Sequence, residues 1–371
     1  MVDLKSQYDK IKDTVNASIQ EVLDTTTYIN GPLVHEFQKD LEAYLDVKHV
    51  IPCANGTDAL QIAMMGLDLK PGDEVITADF TFAATVEVIA LLQLTPVLVD
   101  VDIVNMNISI EAIKKAITPK TKAIVPVHLF GRAANMEAIM AIAKEHNLFV
   151  IEDNAQAIGA HCKFSDGTKK KAGTIGHVAS TSFFPSKNLG CYGDGGAIFT
   201  NDDDLAHKIR GIVNHGMYVR YHHDVVGVNS RLDSIQAGVL KAKLPFLDAY
   251  GKARQDAARK YSAAFEGHKN IIAPSICDIC DCHVFHQYTL RIIDGDRNGL
   301  MEHLLAKGIP CAIYYPIPLH SQKAYADARY KEEDFPVTNQ LVKEVISLPM
   351  HTELDDEQIK FITDSVLEFF N

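Results

Sequence analysis

Short apolar runs alternate with longer segments whose apolar residues recur every three to four positions. The runs "DEVITADF" (73–80), "TPVLVDVD" (95–102), "KAIVPVHLFG" (122–131), "LFVIED" (148–153), "ASTSFF" (179–184) and "GGAIFT" (195–200) read as strands. Helical segments lie between several of them, for example Asn135–His146 and Asp203–Val213. Such alternation predicts an α/β fold around a mostly parallel central sheet, buried on both faces. After residue 246 the texture changes: an amphipathic helix over 250–267 leads to a strand near "HQYTLRII" and a last helix over Asp355–Phe370. The expected division is a large domain over 1–246 and a smaller α+β domain over 247–371. "KFSDGTKKKAG" (163–173) reads as a solvated hairpin or loop.

Sheets of this kind bind ligands at the carboxyl ends of their strands, and Asp153 and Lys187 both sit at or just beyond such ends. In "STSFFPSKNLGCYGDGGAIFT" (180–200), Lys187 ends an apolar run and precedes four glycines within seven residues. A lysine is costly to bury unless paired or used, and its amine attacks carbonyls once desolvation lowers its pKa. The glycines predict a large ligand lying close to the chain; the alternative is a surface lysine in a glycine-rich turn. Asp153, closing "FVIED", is either the N-cap of a following helix or a carboxylate that keeps a pyridine nitrogen protonated, with Gln156 near the same ring. "ANGTDAL" puts Gly56 and Thr57 at a helix start, where unpaired backbone N–H groups suit a phosphate. Phe82, just ahead of another helix, is either core or an aromatic lying flat on a ring. Together these residues ask for an aromatic aldehyde with a ring nitrogen and a phosphate, a description that pyridoxal 5′-phosphate meets.

The chain has 371 residues, 47% of them hydrophobic, and a formal net charge of −12. That acidity argues against nucleic-acid or membrane-surface binding. The amino terminus is charged from Asp3 onward without an apolar leader, and the longest apolar stretch is broken by Gln93 and Pro96, so no membrane span is expected. Seven scattered cysteines fit free thiols in a reducing cytoplasm better than a disulfide framework. "CDICDCHVFH" (277–286), with Cys277, Cys280 and Cys282, has a C-x-x-C spacing that suggests zinc or an iron–sulfur cluster. It lacks a second such pair, so no metal is expected. His222 and His223 read as exposed loop residues.

The motifs "ANGTDAL", "PGDEVIT", "EDNAQAIGA", "SFFPSKNLGCYGDGGAIFTND" and "GVNSRLDSIQAGVL" resemble, in this order, those of the DegT/StrS-type sugar aminotransferases of the fold type I (aspartate aminotransferase-like) superfamily. The resemblance implies that Lys187 is the Schiff-base lysine and Asp153 the pyridinium partner. It implies Gln156 beside the ring, Phe82 stacked on it, and Gly56, Thr57 and Ser182 as phosphate ligands. Asn229 would reach the phosphate of the other subunit, which implies a homodimer with shared active sites. "RYHHDVVGVNSRLD" (220–233) is most similar to the branch that aminates C3 of nucleotide-linked keto sugars. This implies Arg231, Tyr314 and Tyr315 near the sugar, an amino-acid donor such as L-glutamate, and a pyridoxamine 5′-phosphate form between half-reactions. The implied acceptor is UDP-2-acetamido-2-deoxy-3-oxo-D-glucuronate, a precursor of bacterial surface polysaccharide such as O-antigen. The alternative is a dTDP- or UDP-linked 3-keto or 4-keto-6-deoxy sugar, with a sugar dehydrase or a noncatalytic regulator more remote. Arg231 also has a purely structural reading, an ion pair with Asp233 or another acid at the edge of the core.

Overall fold

The computed structural model describes residues 1–276 and 282–371. In chain order the elements are α1 (Leu4–Thr25), α2 (Pro32–Leu45), β1 (His49–Cys53), α3 (Gly56–Gly66), β2 (Glu74–Ala78), α4 (Ala84–Leu91), β3 (Thr95–Val99), α5 (Ile110–Ala116), β4 (Thr121–Val125), α6 (Met136–His146) and β5 (Phe149–Asp153). There follow β6 (His161–Lys163), β7 (Lys169–Lys171), β8 (Val178–Ser182), β9 (Gly196–Thr200), α7 (Asp203–Ile212), β10 (Met217–Val219), β11 (His222–His223), α8 (Ser234–Lys243) and α9 (Leu247–Phe265). The chain closes with β12 (Ile271–Ile272), β13 (Tyr288–Ile292), α10 (Arg297–Ala306), α11 (Pro336–Glu344), β14 (Val345–Leu348) and α12 (Asp356–Phe369).

Seven strands form one sheet in the order β1-β9-β8-β5-β4-β2-β3. The strands from β8 to β3 are parallel, and β9 runs antiparallel to both β8 and β1. Side chains alternate across a strand, and here both faces are apolar. Ile76, Ile124 and Val150 join one cluster with Ile139 and Ala143 of α6, while Val75, Ala123, Val125 and Ile151 join a second with Leu60 of α3 and Ile209 of α7. Each such aliphatic side chain contributes about 1.5–3 kcal/mol by leaving water, so a strand with two apolar faces is stable only when sandwiched. Helix starts follow the capping residues: Asn55, Asn135 and Asp202 accept from the third residue onward of α3, α6 and α7.

The three-stranded antiparallel sheet β12-β13-β14 packs with α9, α10 and α12 around Tyr261, Phe265, Leu290, Leu304, Ile346 and Ile362. This second core is not sealed off from the first. Val284, Leu341, Val342 and Val345 belong to the same cluster as Ile76, Val99 and Ile124. The lysine-rich segment is the hairpin β6-β7, with Lys163 opposite Lys169. β1, the edge strand "HVIPC", carries Pro52, a residue that argues against a strand; the sequence reading missed it. Among the described residues, no helix is long and apolar enough to cross a membrane.

Candidate active site

The carboxyl ends of β2, β4, β5 and β8 open on the same edge of the sheet, and the start of α3 faces them. Asp153, the last residue of β5, is only 5% exposed. No helix follows it. The chain enters tight turns instead, so the N-cap alternative fails, and both carboxylate oxygens are held otherwise. Ala155 N donates to Oδ1 at 3.1 Å and the Thr85 hydroxyl to Oδ2 at 2.8 Å. Thr85 lies in the first turn of α4 and was not among the residues singled out in the sequence.

Gln156 bridges three segments. Its Oε1 accepts from Phe130 N at 2.6 Å and its Nε2 donates to the Tyr315 hydroxyl at 3.1 Å. The Tyr315 ring lies 6.1 Å from those of Phe80 and Phe82 and 6.5 Å from Phe130. Burial pushes its phenol well above the ordinary value, so the hydroxyl stays protonated. Phe82 is 57% exposed, its ring tilted 39° to that of Tyr315. Tyr314 contacts Tyr315 at 6.0 Å between ring centroids.

At the α3 start, Asn55 takes the Asp58 N–H at 2.8 Å. The preceding amides of Gly56 and Thr57 belong to the first-turn groups that a helix cannot pair internally. Ser182 stands against them: a Cβ added to Gly56 would meet the Ser182 Cβ at 2.7 Å. Only glycine permits that approach, which brings a hydroxyl beside two amide donors at the positive end of a helix.

Lys187 occupies the loop after β8, where its N–H donates to Phe184 O at 2.8 Å. Burial lowers its amine from 10.5 to about 8, with the Asp153 carboxylate opposing the shift. At neutral pH about a tenth of such amines are unprotonated, two to three orders of magnitude more than for an unperturbed lysine. The glycines that follow serve a purpose other than the one expected. A Cβ would meet Pro185 O at 2.3 Å from Gly190, Gln236 Nε2 at 2.9 Å from Gly193, Leu232 Cδ1 at 3.0 Å from Gly195 and Asn55 O at 2.4 Å from Gly196. They let the lysine loop fold tightly on the protein itself, rather than make room for a ligand.

Asn229 is exposed and its backbone pairs with Asn214. Arg231 is half-buried. The ion pair considered for it does not form: among the described residues no carboxylate lies within 4 Å of its guanidinium, and Asp233 stands instead at the N-cap of α8. Cys277 and Cys280 lie outside the described residues. Among the described residues, no group of three or more His, Cys, Asp or Glu side chains could hold a metal ion.

Two buried carboxylate–histidine pairs brace the site, and neither was visible in the sequence. Ala134 N donates to His128 Nδ1 at 3.1 Å, so His128 Nε2 carries its proton and donates to Glu152 Oε2 at 2.8 Å. Burial opposes ionisation of Glu152. The His128 bond and the amides of Gly176 and Gly173 outweigh it, and hold the carboxyl below its ordinary value. Asp79, just past β2, accepts from both the backbone N and Nδ1 of His320 at 2.7 Å each. The His320 ring stacks on Phe335 at 4.3 Å.

The residues present fit pyridoxal phosphate: a buried amine of lowered pKa, a doubly held carboxylate, an aromatic face and two unpaired amides with a hydroxyl. Sheet, helices and site are those of a fold type I pyridoxal phosphate enzyme. The chain belongs to the DegT/DnrJ/EryC1/StrS aminotransferase family, whose model matches residues 9–367, and it is a pyridoxal phosphate-dependent aminotransferase. It is 47% identical to the UDP-2-acetamido-2-deoxy-3-oxo-D-glucuronate aminotransferase of Pseudomonas aeruginosa, with 97% of each chain covered. It is 44% identical to the UDP-N-acetyl-3-dehydro-alpha-D-glucosamine 3-aminotransferase of Acidithiobacillus ferrooxidans, covering 97% of this chain and 94% of that one. A Geobacillus stearothermophilus protein named pleiotropic regulatory protein is 45% identical, over 100% of this chain and 98% of its own. Among solved structures, S. venezuelae DesV in complex with a ketimine intermediate superposes with a TM-score of 0.93 at 37% identity, covering 99% of this chain and 97% of that one.

Proposed function

We propose that this aminotransferase moves an amino group from L-glutamate to C3 of a UDP-linked 3-oxo sugar, with UDP-2-acetamido-2-deoxy-3-oxo-D-glucuronate as acceptor. Two relatives above 40% identity bear names for amination of a UDP-linked 3-oxo or 3-dehydro sugar. The observation that favours the uronate is Arg231, whose guanidinium has no carboxylate within 4 Å among the described residues. A planar guanidinium pairs with a carboxylate in bidentate fashion, and the C6 carboxylate of the acceptor supplies one.

When bound, pyridoxal phosphate supplies an electron sink for the bond broken at the amino-bearing carbon and carries nitrogen between the two substrates. The roles of the chain follow from position. Lys187 provides the amine that bonds the cofactor and, once displaced, takes a proton from the substrate carbon and returns it. Asp153, fixed by Thr85 and Ala155, keeps the ring nitrogen protonated. Gly56 and Thr57 N–H groups and the Ser182 hydroxyl hold the phosphate, Phe82 covers the ring, and Gln156 lies beside it. Tyr314 and Tyr315 border the sugar. Asn229, exposed on its own chain, serves the site of a second copy, so the working unit is a homodimer. Residues 1–246 form the cofactor-binding domain and 247–371 the small domain, and the enzyme works in the cytoplasm, where nucleotide sugars and glutamate meet. A purely regulatory role, as the name of the Geobacillus relative suggests for that protein, would leave the lowered Lys187 amine and the unpaired α3 amides without a task.

The test is a single half-reaction. The enzyme is charged with glutamate, freed of excess donor, and its absorbance followed with either the 3-oxo uronate or a nucleotide-linked 4-keto-6-deoxy sugar. Return of the aldehyde-form absorbance with the uronate alone supports the reading. Return with the 4-keto sugar instead refutes the acceptor while leaving the transamination intact.

A further inference from the structure

We propose that Lys243, at the end of α8, is a positioning residue that holds the Lys187 loop in register with the cofactor aldehyde; this rests on Lys187 being the residue that bonds the cofactor. Lys243 is 1% exposed. Its Nζ donates to Gly190 O at 2.6 Å and lies 5.1 Å from the centre of the Tyr192 ring. Among the described residues it has no carboxylate within 4 Å. A buried ammonium without an acid partner costs several kcal/mol. Methionine would fill the same space without that cost, so lysine is distinguished here by its bond to one carbonyl.

That carbonyl belongs to the loop that carries Lys187, three residues further on. The loop is pinched at its neck, where Cys191 N donates to Phe183 O and Phe183 N to Gly195 O, both at 2.8 Å. It reverses at Gly190 against Pro185 O. α8 grips it twice. Gln236 Oε1 accepts from Tyr192 N at 2.8 Å, and its Nε2 donates to Tyr192 O at 3.4 Å. Lys243 stands seven residues after Gln236, two helical turns along the same face. Burial lowers the Lys243 amine to about 8, with nearby Cys191 opposing and Arg254 adding to the shift. The neutral amine still donates, so the grip on Gly190 persists in either protonation state. Without it a buried carbonyl loses its donor and the turn beside Lys187 is free to relax. A misplacement of about 1 Å at a reacting group can cost about a hundred-fold in rate.

The experiment uses apo-protein and reads covalent chemistry rather than turnover. Pyridoxal 5′-phosphate is added, borohydride fixes the adduct at timed intervals, and peptide mass spectrometry counts label on Lys187; circular dichroism melting confirms folding. Wild type should label at Lys187. Lys243→Met should fold yet label about ten- to a hundred-fold more slowly, the loss expected from a buried charge-assisted bond. Lys243→Gln, which keeps a shorter donor, should fall between the two. Labelling of Lys243→Met at the wild-type rate overturns the proposal, as does Lys243→Gln labelling no faster than Met. Should the Met variant fail to fold, Lys243→Gln takes its place, and a wild-type rate there is the refuting result. Wild-type label on a lysine other than 187 overturns the site reading itself, which separates that failure from a failure of Lys243 alone.

Discussion

Glu152→Gln should cost the protein a large share of its stability, although the change swaps one oxygen for one NH2. The Glu152 side chain is fully buried and takes four donors. His128 Nε2 at 2.8 Å and Gly173 N at 2.8 Å reach Oε2, while Ile175 N at 2.7 Å and Gly176 N at 2.6 Å reach Oε1. Whichever way the amide of glutamine turns, its NH2 faces two N–H groups, so two charge-assisted bonds are lost and two donors are left without acceptors. At about 1.5–3 kcal/mol for each such bond, the loss is about 3–6 kcal/mol, against a total stability on the order of 5–15 kcal/mol. The pH dependence has a definite sign. The folded pKa of Glu152 is depressed, so its contribution is complete above the unfolded value, about 4.3, and is lost as pH falls through the folded value. The gap between wild type and variant should therefore be widest near neutrality and narrow in acid. The chain contains no tryptophan, so guanidinium unfolding is best followed by far-ultraviolet circular dichroism at pH 7 and pH 4. A Glu152→Gln protein within about 1 kcal/mol of wild type at pH 7 would refute the reasoning, as would a gap that widens in acid.

Lys187→Ala should remove a base and proton carrier and slow transamination by at least about a hundred- to ten-thousand-fold, measured as single-turnover amino transfer; near-normal rates would sink the assignment. In wild-type apo-protein, the rate at which Lys187 captures the cofactor should climb through a midpoint near pH 8, set by its lowered amine pKa, and a midpoint near 10.5 would show that burial does not act as described. Arg231→Gln should raise KM about ten- to a hundred-fold for the uronate acceptor while leaving a C6-uncharged sugar nearly unaffected; equal effects on both would return Arg231 to a structural role. His320→Ala should lower stability by about 1–3 kcal/mol, because it strips the 1%-exposed Asp79 of its side-chain donor, whereas His320→Asn, whose amide reaches the same oxygen, should recover much of the loss in the same unfolding assay.

How far the sequence reads through to the structure depends on chain separation. Strands and helices come from local patterns, and all six expected strands lie within the central sheet close to where the apolar runs put them, "LFVIED" ending as expected on Asp153. The positions of Lys187, Asp153, Gly56 and Phe82 beside strand ends and helix starts were legible, because each sits in a short motif. What failed to show was every partner that acts at a distance. Thr85 reaches Asp153 across 68 residues, and His320 reaches Asp79 across 241; nothing local marks either. The glycines after Lys187 misled for the same reason: their neighbours, Gln236 and Asn55, are remote in sequence and invisible until the chain folds.

The shared core described above has a consequence for how the chain is made. Ile76, Val99 and Ile124 are covered in part by Leu341, Val342 and Val345, and Tyr315 closes the aromatic wall beside Gln156. These late residues leave the ribosome only when most of the polypeptide is already outside. Until then the part of that apolar face not packed by α6 stays uncovered and the site is incomplete. A chain stopped short of α11 would be left with that part open, a target for chaperones and proteases rather than a smaller enzyme.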